Sequence, residues 1–276
     1  MTEEKIRKKV REGYAKVAQQ QQSCCGPSST CCGSVNTVDS LAQKVGYSEQ
    51  DIASAPEGAN LGLGCGNPVA LASLQQGETV LDLGSGPGFD CFLAAQRVGI
   101  TGHVIGVDMT PEMIAKAREN AQKGSYTTVE FRLGEIEHLP VADSSVDAII
   151  SNCVINLSLD KPQVFREAFR VLRDGGRLMI SDTVLLKPLP EFIQKSVAAY
   201  VGCVSGAMRK QDYIDAIKKT GFKDVQILKE TPFSLDCRVS DPTAQAIVTD
   251  FNLSGEKLKE LEGSIASIQL TGIKRS

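Results

Sequence analysis

Nine cysteines are the residues of this chain whose type and number most clearly suggest chemistry; they stand at positions 24, 25, 31, 32, 65, 91, 153, 203 and 237. A chain of 276 residues is long enough to bury a core without disulfides. In a reducing compartment, cysteine-rich proteins more often bind soft ions or perform thiol chemistry. The two histidines leave little for an imidazole metal site or a Ser-His-Asp triad. The cysteines therefore favour thiolate chemistry.

A glycine-rich segment, VLDLGSGPGFD at residues 80–90, is the second candidate site. Gly84, Gly86 and Gly88 allow a tight turn and a close approach of the backbone to a ligand. A loop of this kind alone also fits a plain turn between a strand and a helix. Its G-x-G-x-G spacing differs from the G-x-G-x-x-G of dinucleotide sites. The segment therefore favours a ligand other than a dinucleotide.

Two carboxylates define that ligand further. Asp82 precedes the glycines, where it would be poorly placed beside a pyrophosphate but suits an ammonium or sulfonium group. Asp108 ends the next predicted strand, in the position of a carboxylate that accepts hydrogen bonds from ribose hydroxyls. A ligand with a ribose, a positive charge and no pyrophosphate is expected, and S-adenosylmethionine meets all three conditions.

The elements that must position these residues alternate along the chain. Strands are predicted at residues 79–83, 103–109, 128–133, 146–152 and 176–183, and helices at 89–98, 111–123 and 161–172. This alternation predicts an α/β fold with a doubly wound, mostly parallel sheet. Strands at 223–230 and 266–275, the second antiparallel, would bring the sheet to seven. Helices are also expected at 2–20, within 38–55, in an insertion at 188–208 and at 209–220.

Three regions are expected from this pattern. Residues 1–57 would form an N-terminal helix and a Cys-rich loop, residues 58–183 the ligand-binding core, and residues 184–276 a helical insertion and the closing strands. The basic residues between positions 5 and 16 are expected to form a solvated helix face.

Composition excludes several classes of function. A net charge of −3 gives no reason to expect nucleic acid or an anionic membrane as partner. No apolar run is long enough to span a bilayer, and the charged start MTEEKIRKKV lacks the core of a signal peptide. A cytoplasmic protein is therefore expected.

The sequence resembles the class I, Rossmann-like methyltransferases over roughly residues 58–230. The resemblance includes the glycine loop, GEIEHLP at 134–140, VDAIISN at 146–152 and FREAFRVLRDGGRLMISD at 165–182. It implies that S-adenosylmethionine is the methyl donor, with no catalytic metal. The contacts to this cofactor that it implies are Asp82, Gly84, Gly86, Asp108, Met109 and Glu135. For Met109, a packed hydrophobic side chain is an equally good interpretation.

A narrower resemblance, over nearly the whole chain, is to the arsenite methyltransferases. It rests on NLGLGCGNP (60–68), SNCVINLS (151–158), YVGCVSGAM (200–208) and the CCGPSSTCCG run (24–33). It implies that Cys65, Cys153 and Cys203 hold trivalent arsenic as the substrate. Arsenic(III) is soft and prefers thiolates. Three thiolates leave its lone pair on the open side, so methyl transfer would need no general base.

Methyl transfer takes arsenic formally to the pentavalent state, and further methylation needs two electrons. Two thiols can supply them by closing a disulfide, which thioredoxin or glutathione would reopen. We expect at least one of four N-terminal thiols to take part: Cys24, Cys25, Cys31 or Cys32. A flexible metal-capturing tail or a zinc knot are alternatives, but the C-C-x5-C-C spacing makes zinc the weaker one.

The remaining candidates are expected to be structural. Cys91 follows the glycine loop on a helix and is expected in the core, while no role is assigned to Cys237. His103 and His138 are expected to be structural, His138 in an exposed loop. Two other functions stay open at this stage: a class I methyltransferase of another small acceptor, such as a quinone precursor, and a metalloid-binding protein without enzymatic activity.

Overall fold

The computed structural model describes residues 3–19, 38–189, 193, 200, 203–232 and 263–275. Its seven described strands form one sheet in the order β3-β2-β1-β4-β5-β7-β6. Strands β1 to β5 are parallel, and β7 is antiparallel to both β5 and β6. The predicted α/β class and mostly parallel seven-stranded sheet are confirmed. The strands are β1 (Thr79–Leu83), β2 (His103–Asp108), β3 (Val129–Leu133), β4 (Val146–Asn152), β5 (Leu172–Leu185), β6 (Lys223–Pro232) and β7 (Ile265–Ile273).

Helices flank the sheet, and their bounds agree closely with the hydrophobic periodicity of the sequence. They are α1 (Glu3–Gln19), α2 (Val38–Lys44), α3 (Glu49–Ser54), α4 (Pro68–Leu71), α5 (Phe89–Val98), α6 (Pro111–Lys123), α7 (Lys161–Val171) and α8 (Lys210–Thr220), with a short 3-10 turn at Ile155–Leu157. Among these described helices, none combines the length and apolar character needed to cross a bilayer.

The central strands carry two cores, one on each face. Leu81 of β1 and Ile149 of β4 belong to one core, and their neighbours Val80 and Ile150 to the other; all four are fully buried. Successive side chains of a strand point to opposite faces, so a strand covered on both sides must be apolar throughout. This explains why TVLDL and VDAIISN are nearly continuous apolar runs.

The bound that differs most from the sequence-based expectation is the start of β5, and one expected helical segment is largely not described. Strand β5 begins at Leu172 rather than at residue 176, because Leu172 pairs with Val146 before an irregularity in the register that precedes Arg177. The expected helical insertion at 188–208 falls largely outside the described residues; Ile193 and Tyr200 are helical, and residues 203–206 form turns.

Helix α1 packs against α6 and over the carboxyl end of the sheet. Its residue Val10 is 1% exposed and packs in a cluster with Leu157 and Cys203. The helix therefore contributes to the walls of the region where the ends of the parallel strands meet.

Candidate active site

One cavity of about 360 Å³ opens at the carboxyl ends of β1, β2, β4 and β5. These are the ends at which ligands bind in open parallel sheets. The cavity brings together all the predicted cofactor residues and the three predicted arsenic-binding cysteines. The predicted residues that line it are Cys65, Asp82, Gly84, Gly86, Asp108, Met109, Glu135, Cys153 and Cys203.

The glycine loop crosses the floor of the cavity between β1 and α5. Gly84 has a φ of +69°, and a Cβ there would lie 2.3 Å from a methyl carbon of Val154, so only glycine fits. Gly86 has a φ of +51°, and a Cβ there would meet no atom within 4 Å. The loop therefore presents bare backbone to an open part of the cavity, as a close-fitting ligand requires.

Asp108 holds this loop with its carboxylate. The group accepts hydrogen bonds from the backbone N–H of Gly86 at 3.0 Å and of Thr110 at 2.8 Å. Burial raises the pKa of Asp108, although both hydrogen bonds oppose the shift. The Thr110 side chain also hydrogen-bonds this carboxylate, which leaves about one of its four acceptor positions for a ligand hydroxyl.

Asp82 is the second carboxylate of this half of the cavity and is 2% exposed. It accepts a hydrogen bond from the Cys91 thiol, with 3.2 Å between sulfur and oxygen. Burial and the nearby charge of Asp90 raise the pKa of Asp82 well above its ordinary value. A positively charged ligand group would offset both effects. Cys91 is fully buried, as expected, but it also touches this carboxylate.

The packed hydrophobic position expected for Met109 is observed, while its contact with the cofactor stays a prediction. Met109 lines the cavity, and it packs against the cluster that contains Val10, Leu157 and Cys203.

The three cysteines come from three separate segments: the loop before α4, the tip of β4, and the turn that follows Tyr200. The Cys203 thiol donates a hydrogen bond to the backbone oxygen of Cys153, with 3.0 Å between the atoms. Cys153 and Cys203 have φ values of 56° and 60°, a backbone conformation that costs energy for any residue with a Cβ. The fold therefore holds two of these thiols in strained positions beside one another.

The thiols share hydrogen bonds through Cys153. Hydrogen bonds from Cys203 and Cys65 lower the pKa of the Cys153 thiol well below its ordinary value. The same bonds, together with burial, raise the pKa of Cys65 and of Cys203. The arrangement favours one negative charge, centred on Cys153 and stabilised by the neighbouring thiols.

Asn152, the last residue of β4, fastens the Cys65 segment to the strand that leads into Cys153. Its Oδ1 accepts from the backbone N–H of Cys65 at 3.0 Å, and its Nδ2 donates to the backbone oxygen of Gly66 at 2.8 Å. Nδ2 also lies 3.1 Å from a carboxylate oxygen of Asp90. The Asn152 side chain thus connects the segment that contains Cys65 to α5, the helix that follows the glycine loop.

Asp90 and Tyr47 complete this network. The Tyr47 hydroxyl donates to Asp90 at 2.7 Å and accepts from Asn152 at 2.9 Å. Burial raises the pKa of Asp90 to about 6, although the hydrogen bonds from Tyr47 and Asn152 oppose the shift. Sequence reasoning did not find this network; polar residues at the end of an apolar strand were the available signal.

Asp182 is a fully buried carboxylate of β5 that sequence reasoning also missed. It accepts hydrogen bonds from Asn156 at 2.9 Å, from its neighbour Thr183 at 2.8 Å, and from the Tyr213 hydroxyl at 3.0 Å. Burial and the charge of Cys153 raise the pKa of Asp182 well above its ordinary value. The carboxylate thus lies against the thiols of the cavity.

Helix α1 forms a wall of the cavity, and two of its basic residues pair with acidic residues of the loop after β3. Arg7 pairs with Glu135 at 3.4 Å and with Glu137 at 3.8 Å, and Arg11 pairs with Glu135 at 3.8 Å. Both arginines stay partly exposed to solvent, as expected for a solvated helix face, and these pairs add contacts to the loop after β3. Tyr14 of the same helix lines the cavity, and its hydroxyl is hydrogen-bonded to Cys203.

Other candidates lie elsewhere. His138 is exposed, and His103 is part-exposed at the start of β2, 3.5 Å from Glu130. Five cysteines that the sequence analysis considered lie outside the described residues: Cys24, Cys25, Cys31, Cys32 and Cys237.

Similarity to known proteins agrees with this geometry. A family model described as a methyltransferase domain matches residues 74–231. An arsenite methyltransferase from Halobacterium salinarum is 54% identical over 231 residues, which are 81% of this chain and 59% of that protein. One from Aquipseudomonas alcaligenes is 41% identical over 62% of this chain and 51% of its own length. The chain thus spans less than two thirds of these curated relatives.

Among solved structures, this chain is similar to CrArsM, an arsenic(III) S-adenosylmethionine methyltransferase from Chlamydomonas reinhardtii. The TM-score is 0.63 and the identity 32%, over 87% of this chain and 73% of that one. This chain therefore belongs to the arsenite methyltransferase family of methyltransferase-domain proteins.

Proposed function

We propose that this chain transfers methyl groups from S-adenosylmethionine to trivalent arsenic bound by Cys65, Cys153 and Cys203, giving methylated arsenicals. The observation that carries the proposal is the meeting of these thiols in the cavity that Asp82 and Asp108 also line. The names of the relatives support the same substrate and methyl donor.

The donor set of the cavity fits S-adenosylmethionine. The open space at Gly86 leaves room for a ligand against the backbone. Asp108 would accept a hydrogen bond from a ribose hydroxyl, and Asp82 would offset the positive charge of the amino acid portion. Gly84, Met109 and Glu135 would complete the contacts. When bound, this cofactor supplies a methyl group activated by a sulfonium.

The thiols would bind arsenic as substrate and orient it. Trivalent arsenic takes three thiolates and keeps a lone pair on its fourth side, and that lone pair is the nucleophile. No proton has to leave arsenic, so the cysteines need only orient it and exclude water, and orientation alone can lower a barrier by several kcal/mol. Cys153, whose thiol pKa is lowered by its neighbouring thiols, would form the first arsenic–sulfur bond.

Repeated methylation needs a source of electrons. Each transfer raises arsenic from the trivalent to the pentavalent state, and two thiols return two electrons when they close a disulfide. We infer that Cys24, Cys25, Cys31 or Cys32 takes part in this step, and that thioredoxin or glutathione reopens the disulfide. Cysteines in these numbers, in a chain large enough to fold without disulfides, favour a reducing compartment, so we propose a cytoplasmic location.

We also propose a division of labour along the chain. Residues 58–183 would bind the cofactor, and residues 184–276 would supply Cys203 and complete the sheet. Residues 1–57 would cover the cavity and bring the N-terminal thiols to it.

The test is methylarsenic formation from arsenite and S-adenosylmethionine, with and without thioredoxin. We expect Cys153→Ser and Cys203→Ser to lose arsenite binding and methylation while S-adenosylmethionine binding stays intact. Cys237→Ser is the matched control and should methylate normally. Unchanged methylation in both Cys153→Ser and Cys203→Ser would refute the thiol site. Absence of S-adenosylmethionine binding in the parent protein would refute an enzymatic role.

A further inference from the structure

Asp182 is a buried carboxylate for which methyl transfer to arsenic provides no task. One of its oxygens and the Sγ atoms of Cys65 and Cys153 lie within 4.8 Å of one another. The three residues come from the loop before α4, the tip of β4 and the middle of β5. Two thiols that line the cavity and one buried carboxylate beneath them thus form a group of candidate ligand atoms, with the third thiol, Cys203, beside Cys153.

This donor set suits a different ligand from arsenic(III). Trivalent arsenic uses three sulfur donors and needs its fourth side free for the lone pair. Zinc carries no such lone pair, is bound tetrahedrally, and accepts thiolate and carboxylate ligands together. Cadmium, its softer congener, has the same charge and prefers thiolates still more. A carboxylate next to two thiolates therefore offers these cations a donor that arsenic does not use.

The distances are compatible with such a site. Zinc–sulfur bonds of about 2.3 Å and zinc–oxygen bonds of about 2.1 Å separate neighbouring donors of a tetrahedron by about 3.5 Å. Atoms within 4.8 Å of one another reach this spacing through small side-chain rotations. Cys203 can supply the fourth donor when its thiol releases the Cys153 carbonyl oxygen.

The surroundings of Asp182 resemble the supporting shell of a metal ligand. Hydrogen bonds from Asn156, Thr183 and Tyr213 fix the orientation of the carboxylate, as the outer partners of metal ligands commonly do. The buried ammonium of Lys161 donates to the Ser158 carbonyl at 2.8 Å. Several buried acids close together are costly unless protons or a cation neutralise them.

We propose that the thiol pocket also binds a soft divalent cation, zinc or cadmium, with the Asp182 carboxylate as the oxygen donor beside Cys65 and Cys153. The cation occupies the thiols that arsenite needs, so it excludes arsenite in a one-to-one competition. S-adenosylmethionine binds at the other carboxylates of the cavity and is not displaced. This inference uses the thiols of the proposed function, but cation binding requires no methyl transfer.

The test uses the full chain in which Cys24, Cys25, Cys31, Cys32 and Cys237 are replaced by serine, so that thiols elsewhere do not bind the probe. Cadmium chloride alone is titrated while the ultraviolet charge-transfer absorption of the cadmium–thiolate bonds is recorded. We expect one cadmium per chain and loss of arsenite binding in proportion to cadmium bound. Asp182→Asn should weaken cadmium binding about tenfold or more and leave arsenite affinity nearly unchanged. Asp147→Asn, a carboxylate variant at the other end of β4, should bind cadmium like the parent.

Two results would overturn the proposal: no stoichiometric cadmium binding by the parent, or equal cadmium affinity in the parent and Asp182→Asn. Cadmium NMR of the parent keeps the test decisive if Asp182→Asn does not fold. A chemical shift for mixed sulfur and oxygen donors supports the proposal, and a shift for sulfur donors alone refutes it. These cadmium measurements do not depend on methyl transfer, so they test the proposal even if the chain does not methylate arsenic.

Discussion

The side-chain oxygen of Asn152 accepts a hydrogen bond from the backbone N–H of Cys65, 3.0 Å away and 87 positions apart in sequence. The same side-chain amide donates a hydrogen bond to the carbonyl oxygen of Gly66. Asn152 therefore binds the backbone on both sides of the Cys65–Gly66 peptide bond. Because Cys153 follows Asn152 directly, this contact sets the distance between two of the three thiols. A thiol site built from distant loops needs such a connection, since arsenic cannot be bound tightly by thiols that move independently.

Replacing Asn152 should therefore weaken arsenite binding more than cofactor binding. Asn152→Ala removes both contacts to the Cys65 segment, while Asn152→Asp keeps the acceptor and loses the donor. We expect arsenite affinity to fall about 10- to 100-fold in Asn152→Ala and less in Asn152→Asp. Arsenite and S-adenosylmethionine dissociation constants, measured separately by calorimetry, check this. Equal losses of both affinities would contradict a role centred on Cys65.

Gly66 provides a steric test of the same segment. A Cβ on Gly66 would lie 1.8 Å from the Ser181 hydroxyl and 2.7 Å from the end of the Gln269 side chain. Gly66→Ala should therefore displace the Cys65 segment and destabilise the fold by about 1–3 kcal/mol. Chemical denaturation and arsenite titration measure the two effects.

Ser181→Ala is the matched partner of that variant. The Ser181 hydroxyl is buried and has no hydrogen-bond partner in the described part of the chain, so its removal should not destabilise the protein. It also removes the atom that a Cβ on Gly66 would meet first. The double variant should recover much of the stability lost in Gly66→Ala. A double variant as unstable as Gly66→Ala would show that Ser181 is not the obstacle.

The sequence predicted much of this site because its main signals are local. The G-x-G-x-G loop, the carboxylate at the end of β2 and the alternating strands and helices are each visible within a few residues. The rule that ligands bind at the carboxyl ends of parallel strands points to Cys153 at the tip of β4. The grouping of Cys65 and Cys203 with Cys153 was implied by the resemblance to the arsenite methyltransferases.

The residues that were missed act across the fold rather than within a motif. Asn152 and Asp182 end or interrupt apolar strands, and their partners are distant in sequence. Tyr14 lies on the apolar face of α1. Residues that face a core and residues that face a cavity recur at the same intervals along a helix, so the sequence does not distinguish them. Hydrophobic periodicity gives the buried face of a helix but not what that face covers.

The buried carboxylate Asp90 predicts a pH-dependent stability. Its pKa in the folded state is about 6, above the value of 3.8 for an unperturbed aspartate, so the folded protein binds this proton more tightly than the unfolded chain. This contribution to the unfolding free energy is therefore fully present below about pH 4 and is lost as pH rises through 6. The size of the change is about 3 kcal/mol.

Asp90→Asn removes that titration. As pH rises from 4 to 7, the parent should lose about 3 kcal/mol of unfolding free energy relative to Asp90→Asn. Urea denaturation of both proteins at several pH values measures it. The other ionisable groups near Asp90 are Asp82, Asp51, Tyr47 and Cys91, and they are present in both proteins. A difference that stays constant with pH would mean that Asp90 does not titrate in this range.

The ion pairs between α1 and the loop after β3 predict how firmly this helix covers the cavity. Arg7 and Arg11 approach Glu135 at 3.4 and 3.8 Å, and these side chains are about one third to one half exposed. Exposed pairs of this kind contribute about 0.2–1 kcal/mol each and are screened by salt. In Arg7→Ala, α1 should therefore separate from the cavity slightly more often than in the parent. Amide exchange in α1 should be faster, and S-adenosylmethionine should bind about two- to fivefold more weakly at low salt. Lys8→Ala is the matched control, because among the described residues Lys8 pairs only with the exposed Glu12 of its own helix. High salt should reduce the difference in S-adenosylmethionine affinity between Arg7→Ala and the parent. If amide exchange in α1 is the same in Arg7→Ala and Lys8→Ala, the ion pairs do not hold α1 over the cavity.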